Sequence, residues 1–138
     1  MPKFSLVVLT IAVSGSLAAP LALVATTTSA GAISSLSTYD ANKDGTLDLD
    51  EVKAAAAAAF DRLDKDKNGT VGRKETGLHM SGRELKEADT DNDGKLSKDE
   101  YVAWAEKLFN DADKNHDGKL TARELRTVPG HALLRLIK

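Results

Sequence analysis

Side chains that carry oxygen recur at fixed places in four twelve-residue stretches of this chain. They read DANKDGTLDLDE from Asp40 to Glu51, DKDKNGTVGRKE from Asp64 to Glu75, DTDNDGKLSKDE from Asp89 to Glu100 and DKNHDGKLTARE from Asp113 to Glu124. Each opens on Asp, has Asp or Asn at positions 3 and 5, Gly at 6, a hydrophobe at 8 and Glu at 12. A hard cation of calcium's size takes about six to eight oxygens at roughly 2.3–2.6 Å, and such a loop can supply them. Glycine at position 6 takes a turn that a side chain would obstruct.

Loop by loop, the first offers Asp40, Asn42, Asp44, the Thr46 carbonyl, Asp48 and Glu51. The second offers Asp64, Asp66, Asn68, the Thr70 carbonyl and Glu75, and Gly72 leaves position 9 to water. Asp89, Asp91, Asp93, the Lys95 carbonyl, Ser97 and Glu100 belong to the third; Asp113, Asn115, Asp117, the Lys119 carbonyl, Thr121 and Glu124 belong to the fourth. A single Asp- and Gly-rich stretch would read as a solvated turn, because Asp and Asn bond their own backbone. Four that share Glu at 12 and a hydrophobe at 8 point to metal. The second loop is the weakest candidate, with Arg73 and Lys74 crowding it.

The loops hold 16 of the 21 acidic residues in the chain, so acid is concentrated where a cation would sit. Other chemistries lack a foothold. The histidines, His79, His116 and His131, stand singly and there is no cysteine, so no transition-metal spacing exists. No nucleophile and base pair emerges, and the chain reads as no enzyme. Without a basic stripe interleaved with aromatics, nucleic acid is not expected as a partner.

The loops begin 24, 25 and 24 residues apart, and this spacing dictates the elements between them. Val52, Ala56, Phe60 and Leu63 lie on one face of a helix, as do Tyr101, Trp104 and Leu108. Each of these gaps is about 18 Å long as helix, room for one element only, so neighbouring loops must share it. A shared rigid helix holds its loops at opposite ends, which forbids pairing of the first with the second or the third with the fourth. In the middle gap Gly77 and Gly82 flank Leu78 to Ser81, and Ser81 with Glu84 forms a capping box that begins a fresh helix. That break lets the second loop face the third and leaves the first to pair with the fourth, through Leu47, Val71, Leu96 and Leu120 at position 8. The predicted fold is an all-α small helical bundle with metal sites at its ends. Ile33, Leu36 and Tyr39 suggest a brief entering helix, while Pro129 and Gly130 stop the last exit helix and His131 to Lys138 covers the core.

At the N-terminus Lys3 precedes an apolar stretch, Phe4 to Val13, that continues in broken form through Leu17 to Ala25 and ends in small residues, with Ala30 and Ala32 before a cleavage point. We read 1–32 as a signal peptide and 33–138 as the metal-binding domain of a periplasmic or secreted protein. An uncleaved membrane anchor is the alternative, against which Ser14, Gly15, Ser16 and Pro20 interrupt the run. After cleavage no membrane contact is expected.

Each loop resembles an EF-hand calcium loop, and the chain from Ile33 to Lys138 resembles lanmodulin in its tight spacing, its glycine break and its ending PGHALLRLIK. That family comprises small periplasmic proteins that bind rare-earth ions through four EF-hands and order as they do so. The resemblance implies a three-helix bundle in which hands two and three pair, and hands one and four pair. Lanmodulin loops typically have Pro at position 2, where this chain has Ala41, Lys65, Thr90 and Lys114, and an acid at position 9, where only Asp48 is acidic. Calcium, up to four ions, is therefore the expected cofactor, with lanthanide ions as the alternative. The function read from these features is a metal buffer or sensor that orders on binding, with a protein partner left open. A dockerin-like adaptor, stabilised by calcium, is the competing class.

Overall fold

A computed structural model of the chain describes residues 36–138. The segment read as a signal peptide, 1–32, and Ile33 lie outside the described residues. Residues 36–39 are helical (α1) and enter the first loop with Leu36 buried. There follow β1 (Leu47–Asp48), α2 (Leu49–Leu63), β2 (Thr70–Gly72), α3 (Arg73–Thr76), α4 (Gly82–Ala88) and β3 (Lys95–Ser97). The chain continues through α5 (Lys98–Ala112), β4 (Lys119–Leu120), a 3-10 turn at Glu124–Arg126 and α6 (Val128–Ile137). The domain is small and mostly helical.

The two 15-residue helices, α2 and α5, are the shared elements that the spacing requires. Alanine, the best helix former, fills much of α2. Both helices begin and end on residues of the loops. Asp48 accepts a hydrogen bond from the Glu51 amide at 2.8 Å, and Glu51 accepts one from the Asp48 amide at 3.0 Å, a reciprocal cap. Ser97 and Glu100 do the same for α5. At the other end the first Asp of each loop closes the preceding helical turn: the amides of Asp40, Asp64, Asp89 and Asp113 donate to Leu36, Phe60, Leu85 and Phe109 carbonyls, each at 2.9 Å. Ordering a loop and ordering its helices are therefore one event.

Between the second and third loops α3 runs for only 4 residues before Gly77, whose φ of +49° takes the chain out of the helix. Ser81 then caps α4, accepting from the Glu84 amide at 3.2 Å. This break folds β2 against β3, with Val71 opposite Leu96, while β1 pairs with β4, with Leu47 opposite Leu120. Both pairs are antiparallel, and all four of these hydrophobes are fully buried.

The core lies where α2, α5 and α6 pack on one another. Val52, Ala56 and Phe60 meet Tyr101, Trp104 and Leu108, and Phe60 sits edge-on to Tyr101 with ring centres 5.8 Å apart. Leu133, Leu136 and Ile137 of α6 are buried beside them. Pro129 and Gly130 do not stop a helix, contrary to the expectation from sequence; they lie in the first turn of α6. Thr127 is the reason. Its hydroxyl donates to the Glu124 carbonyl at 2.6 Å, ending the 3-10 turn, and accepts from the Gly130 amide at 3.2 Å, starting α6. Proline in a first turn forfeits no helical hydrogen bond.

The last turn of α6 leaves carbonyls without helical partners, and side chains from distant parts of the chain reach them. His79 Nδ1 donates to the Arg135 carbonyl at 3.0 Å, Tyr101 to Leu136 at 2.7 Å, and Tyr39 and Arg62 to Ile137 at 3.0 Å each. Burial pushes the Tyr101 phenol upward, so it remains a donor at any ordinary pH. Arg62 also reaches the Lys138 carbonyl at 2.9 Å.

Candidate metal centre

All four loops have the same backbone course. Position 4 takes a left-handed conformation in Lys43, Lys67, Asn92 and His116, with φ between 53° and 59°, and none of these is β-branched. Gly45, Gly69, Gly94 and Gly118 at position 6 have φ of 77° to 84°, where a side chain would be strained. These turns aim amides inward. The position 6 amide donates to Oδ2 of the first Asp at 2.9 Å in every loop, from Gly45 to Asp40, Gly69 to Asp64, Gly94 to Asp89 and Gly118 to Asp113. Positions 3 and 5 are tied the same way: Asn42, Asp66, Asp91 and Asn115 accept from the amides of Asp44, Asn68, Asp93 and Asp117 at 2.8 to 3.3 Å. The amides of Thr46, Thr70, Lys95 and Lys119 at position 7 donate in turn to position 5 at 2.8 to 2.9 Å.

The first Asp is the deepest acid of each loop: Asp40, Asp64, Asp89 and Asp113 are 7, 9, 8 and 4 % exposed. A buried carboxylate needs hydrogen bonds or a counter-charge. In the first three loops Oδ1 receives the position 5 amide at 3.0 to 3.2 Å. Asp113 Oδ1 is buried with no hydrogen-bond partner among the described residues. A hard cation, which prefers carboxylate oxygen, satisfies such an atom, and the donor set around it is all oxygen. Asp113, Asn115, Asp117, the Lys119 carbonyl, Thr121 and Glu124 would hold it there.

Three carboxylates converge within 4.8 Å in two loops, Asp64, Asp66 and Glu75 in the second and Asp89, Asp91 and Asp93 in the third. The second loop thus gathers its acids more closely than its basic neighbours suggested. Arg73 points elsewhere, donating to the Met80 carbonyl at 3.3 Å. Glu100 stands outside the third cluster, held at the loop's start, where Oε1 accepts from the Thr90 amide at 2.9 Å and its hydroxyl at 2.7 Å. The Ser97 amide first and the Thr90 hydroxyl next hold Glu100 down at about 2, so it is ionised at neutral pH. Glu51 closes the first loop likewise, accepting from Ala41 at 2.9 Å and Asn42 at 3.2 Å. Like Glu51 and Glu100, Glu75 and Glu124 accept from the position 9 amides, those of Gly72 and Thr121, both at 3.0 Å, but they show no bond to the start of the loop. Asp48, Ser97 and Thr121, the position 9 side chains, serve the adjoining turn, each accepting from the amide of its position 12 glutamate at 2.8 to 3.4 Å.

One functional contact escaped the sequence reading: Lys119 Nζ binds Asp44 at 2.6 Å across the β1–β4 pair. Only the strand register, Asp48 opposite Lys119, hints at it.

This geometry, acidic turns that close one helix and open the next, defines an EF-hand protein. Residues 32–106 match the family of the EF-hand domain pair and residues 105–129 match the EF hand. The chain belongs to the EF-hand family, and its acidic loops form a calcium-binding domain of a typically non-catalytic kind. No curated protein matches it. No helix among the described residues is long and apolar enough to cross a membrane.

The loops are not equivalent. The first and third have an additional acid or a closing glutamate held over the loop's start, and carboxylate number tunes EF-hand affinity. Changing Glu51 or Glu100 to Gln is expected to lower calcium affinity about tenfold more than changing Glu75 or Glu124, as loss of a charged hydrogen bond would. Calorimetric titration of the four variants checks this; equal losses would refute the ranking.

Proposed function

We propose that this protein is an exported metal-responsive binding protein, a buffer or sensor with four EF-hands that takes one calcium ion per loop. The observation that carries the reading is the fourfold repetition of one geometry, the 2.9 Å bond from the position 6 amide to a buried first Asp. The leader-like 1–32 supports export to the periplasm or beyond. Acid gathered in the loops supports ordering by metal, since the carboxylates repel one another until a cation enters. Calorimetric titration with calcium is expected to show four ions per chain, one for each loop of the sequence. Two or fewer would restrict function to one pair.

A second reading, a lanmodulin-type binder selective for lanthanides, is favoured by one observation: strand pairing joins the first loop to the fourth and the second to the third. That is the pairing the resemblance implies. Competition decides between the two. If calcium at about 10⁻⁴ M, within the EF-hand range, gives the same helix content as lanthanum, calcium is the functional ion. Order induced by lanthanum alone would establish the second reading.

A further inference from the structure

Lys119 stands at position 7 of the fourth loop, where an EF loop uses only its backbone carbonyl. Its side chain serves a different loop. The β1–β4 register sets Lys119 opposite Asp48, at position 9 of the first loop. From there Nζ reaches Asp44 Oδ2 at 2.6 Å. Asp44 is position 5 of the first loop, one of its expected ligands. Its Oδ1 already accepts from the Thr46 amide at 2.8 Å, so Oδ2 is the oxygen not engaged by its own loop, and the ammonium holds it.

The second strand pair supplies a comparison. Lys95 has the same position 7 in the third loop and lies opposite Gly72, position 9 of the second. Among the described residues Lys95 forms no ion pair. The facing position 5 residue differs, Asn68 in the second loop against Asp44 in the first. A lysine reaching across the strand pair therefore settles where it finds a carboxylate. The three-acid clusters fall in the second and third loops, and the first loop, whose Asp44 faces the lysine, is not among them.

We propose that Lys119 is an affinity-setting residue, a tethered cation at the first site that an incoming ion must displace from Asp44, so that the fourth loop tunes the first. The inference rests on the reading of the first loop as a cation site. A monovalent ion gains nothing over the resident ammonium, whereas each added unit of charge strengthens the attraction to Asp40, Asp44, Asp48 and Glu51. Displacing the ammonium costs the same whichever ion enters, so Lys119 lowers the affinity of the first site without changing its order of preference among ions.

The test is calcium titration of the full chain by calorimetry, with Lys119→Met set beside the unaltered protein, Asp44→Asn and the double variant. Lys119→Met keeps the aliphatic stem and removes the charge, and Lys119→Gln repeats the removal with a polar end. Either is expected to tighten one site by about two- to fivefold, the scale of an exposed ion pair. In the Asp44→Asn background the same change is expected to have no effect, which separates the contact from a general loss of positive charge. In the unaltered protein the Lys119 side-chain resonances should move as the first site fills. If both Lys119 variants bind calcium no more tightly while the unaltered protein binds normally, the proposal falls and the metal reading stands. If the unaltered protein binds no cation, both fall.

Discussion

Removing divalent cations is expected to abolish most of the helical signal of this protein, and calcium to restore it. The reason is the economy of its caps. The first Asp of each loop closes one helical turn with its amide, at 2.9 Å in all four cases, and the Glu at position 12 accepts from the position 9 amide in every loop, capping α2, α3 and α5 in the first three. A loop that opens therefore frays two elements. Without cations, 16 acidic residues crowd four short loops, and left-handed Lys43, Lys67, Asn92 and His116 add backbone strain. Binding energy then appears as folding energy. Each site filled at a hundred times its dissociation constant adds about 2.7 kcal/mol. Far-ultraviolet circular dichroism with a chelator, then with calcium, is the measurement. A chelated protein with full helix content and a cooperative melt above about 60 °C, a range typical of stable domains, would contradict the account.

Gly130→Ala is expected to be the most damaging single-methyl change outside the loops. A Cβ at Gly130 would meet the Glu124 carbonyl oxygen at clash distance and lie 2.6 Å from Leu125 Cα and 2.8 Å from its carbonyl carbon. These are backbone atoms and cannot rotate aside. Helix α6 would have to withdraw from the 3-10 turn, loosening Leu133, Leu136 and Ile137, which are essentially inaccessible to solvent. Overpacking of this kind costs about 1–3 kcal/mol. In a domain of this size that is a fall of roughly 5–15 °C in melting temperature. Because Glu124 belongs to the fourth loop, calcium affinity there should fall as well. A melting temperature within about 2 °C of the unaltered protein's, less than a 1 kcal/mol change would give, would show that α6 does not pack so closely.

The strand pairing was legible because two local facts sufficed. The gaps after Glu51 and Glu100 are too short for two helices, and Gly77 with the Ser81–Glu84 cap breaks the middle one. Sharing and breaking together force the second loop onto the third. Pro129 misled because proline is compatible with both the stop and the start of a helix; Thr127, two residues before it, was the signal for a start. The Lys119–Asp44 contact joins residues 75 positions apart and depends on strand register and side-chain reach together, neither of which composition reveals. The direction of Arg73 toward Met80 was equally hidden, since it requires the turn after Gly77 to be in place.

The final turn of α6 is where the chain's distant segments are moored. Tyr39 stands just ahead of the first loop, Arg62 just ahead of the second, His79 in the connection between the second and third, and Tyr101 just behind the third. Four addresses in the sequence share one berth. A fluorophore attached at Lys138 would therefore act as a common reporter, sensing the order of either strand pair from a single point outside the acidic loops. For the same reason a bulky fusion placed directly after Ile137 would disturb the approaches to the first three loops at once.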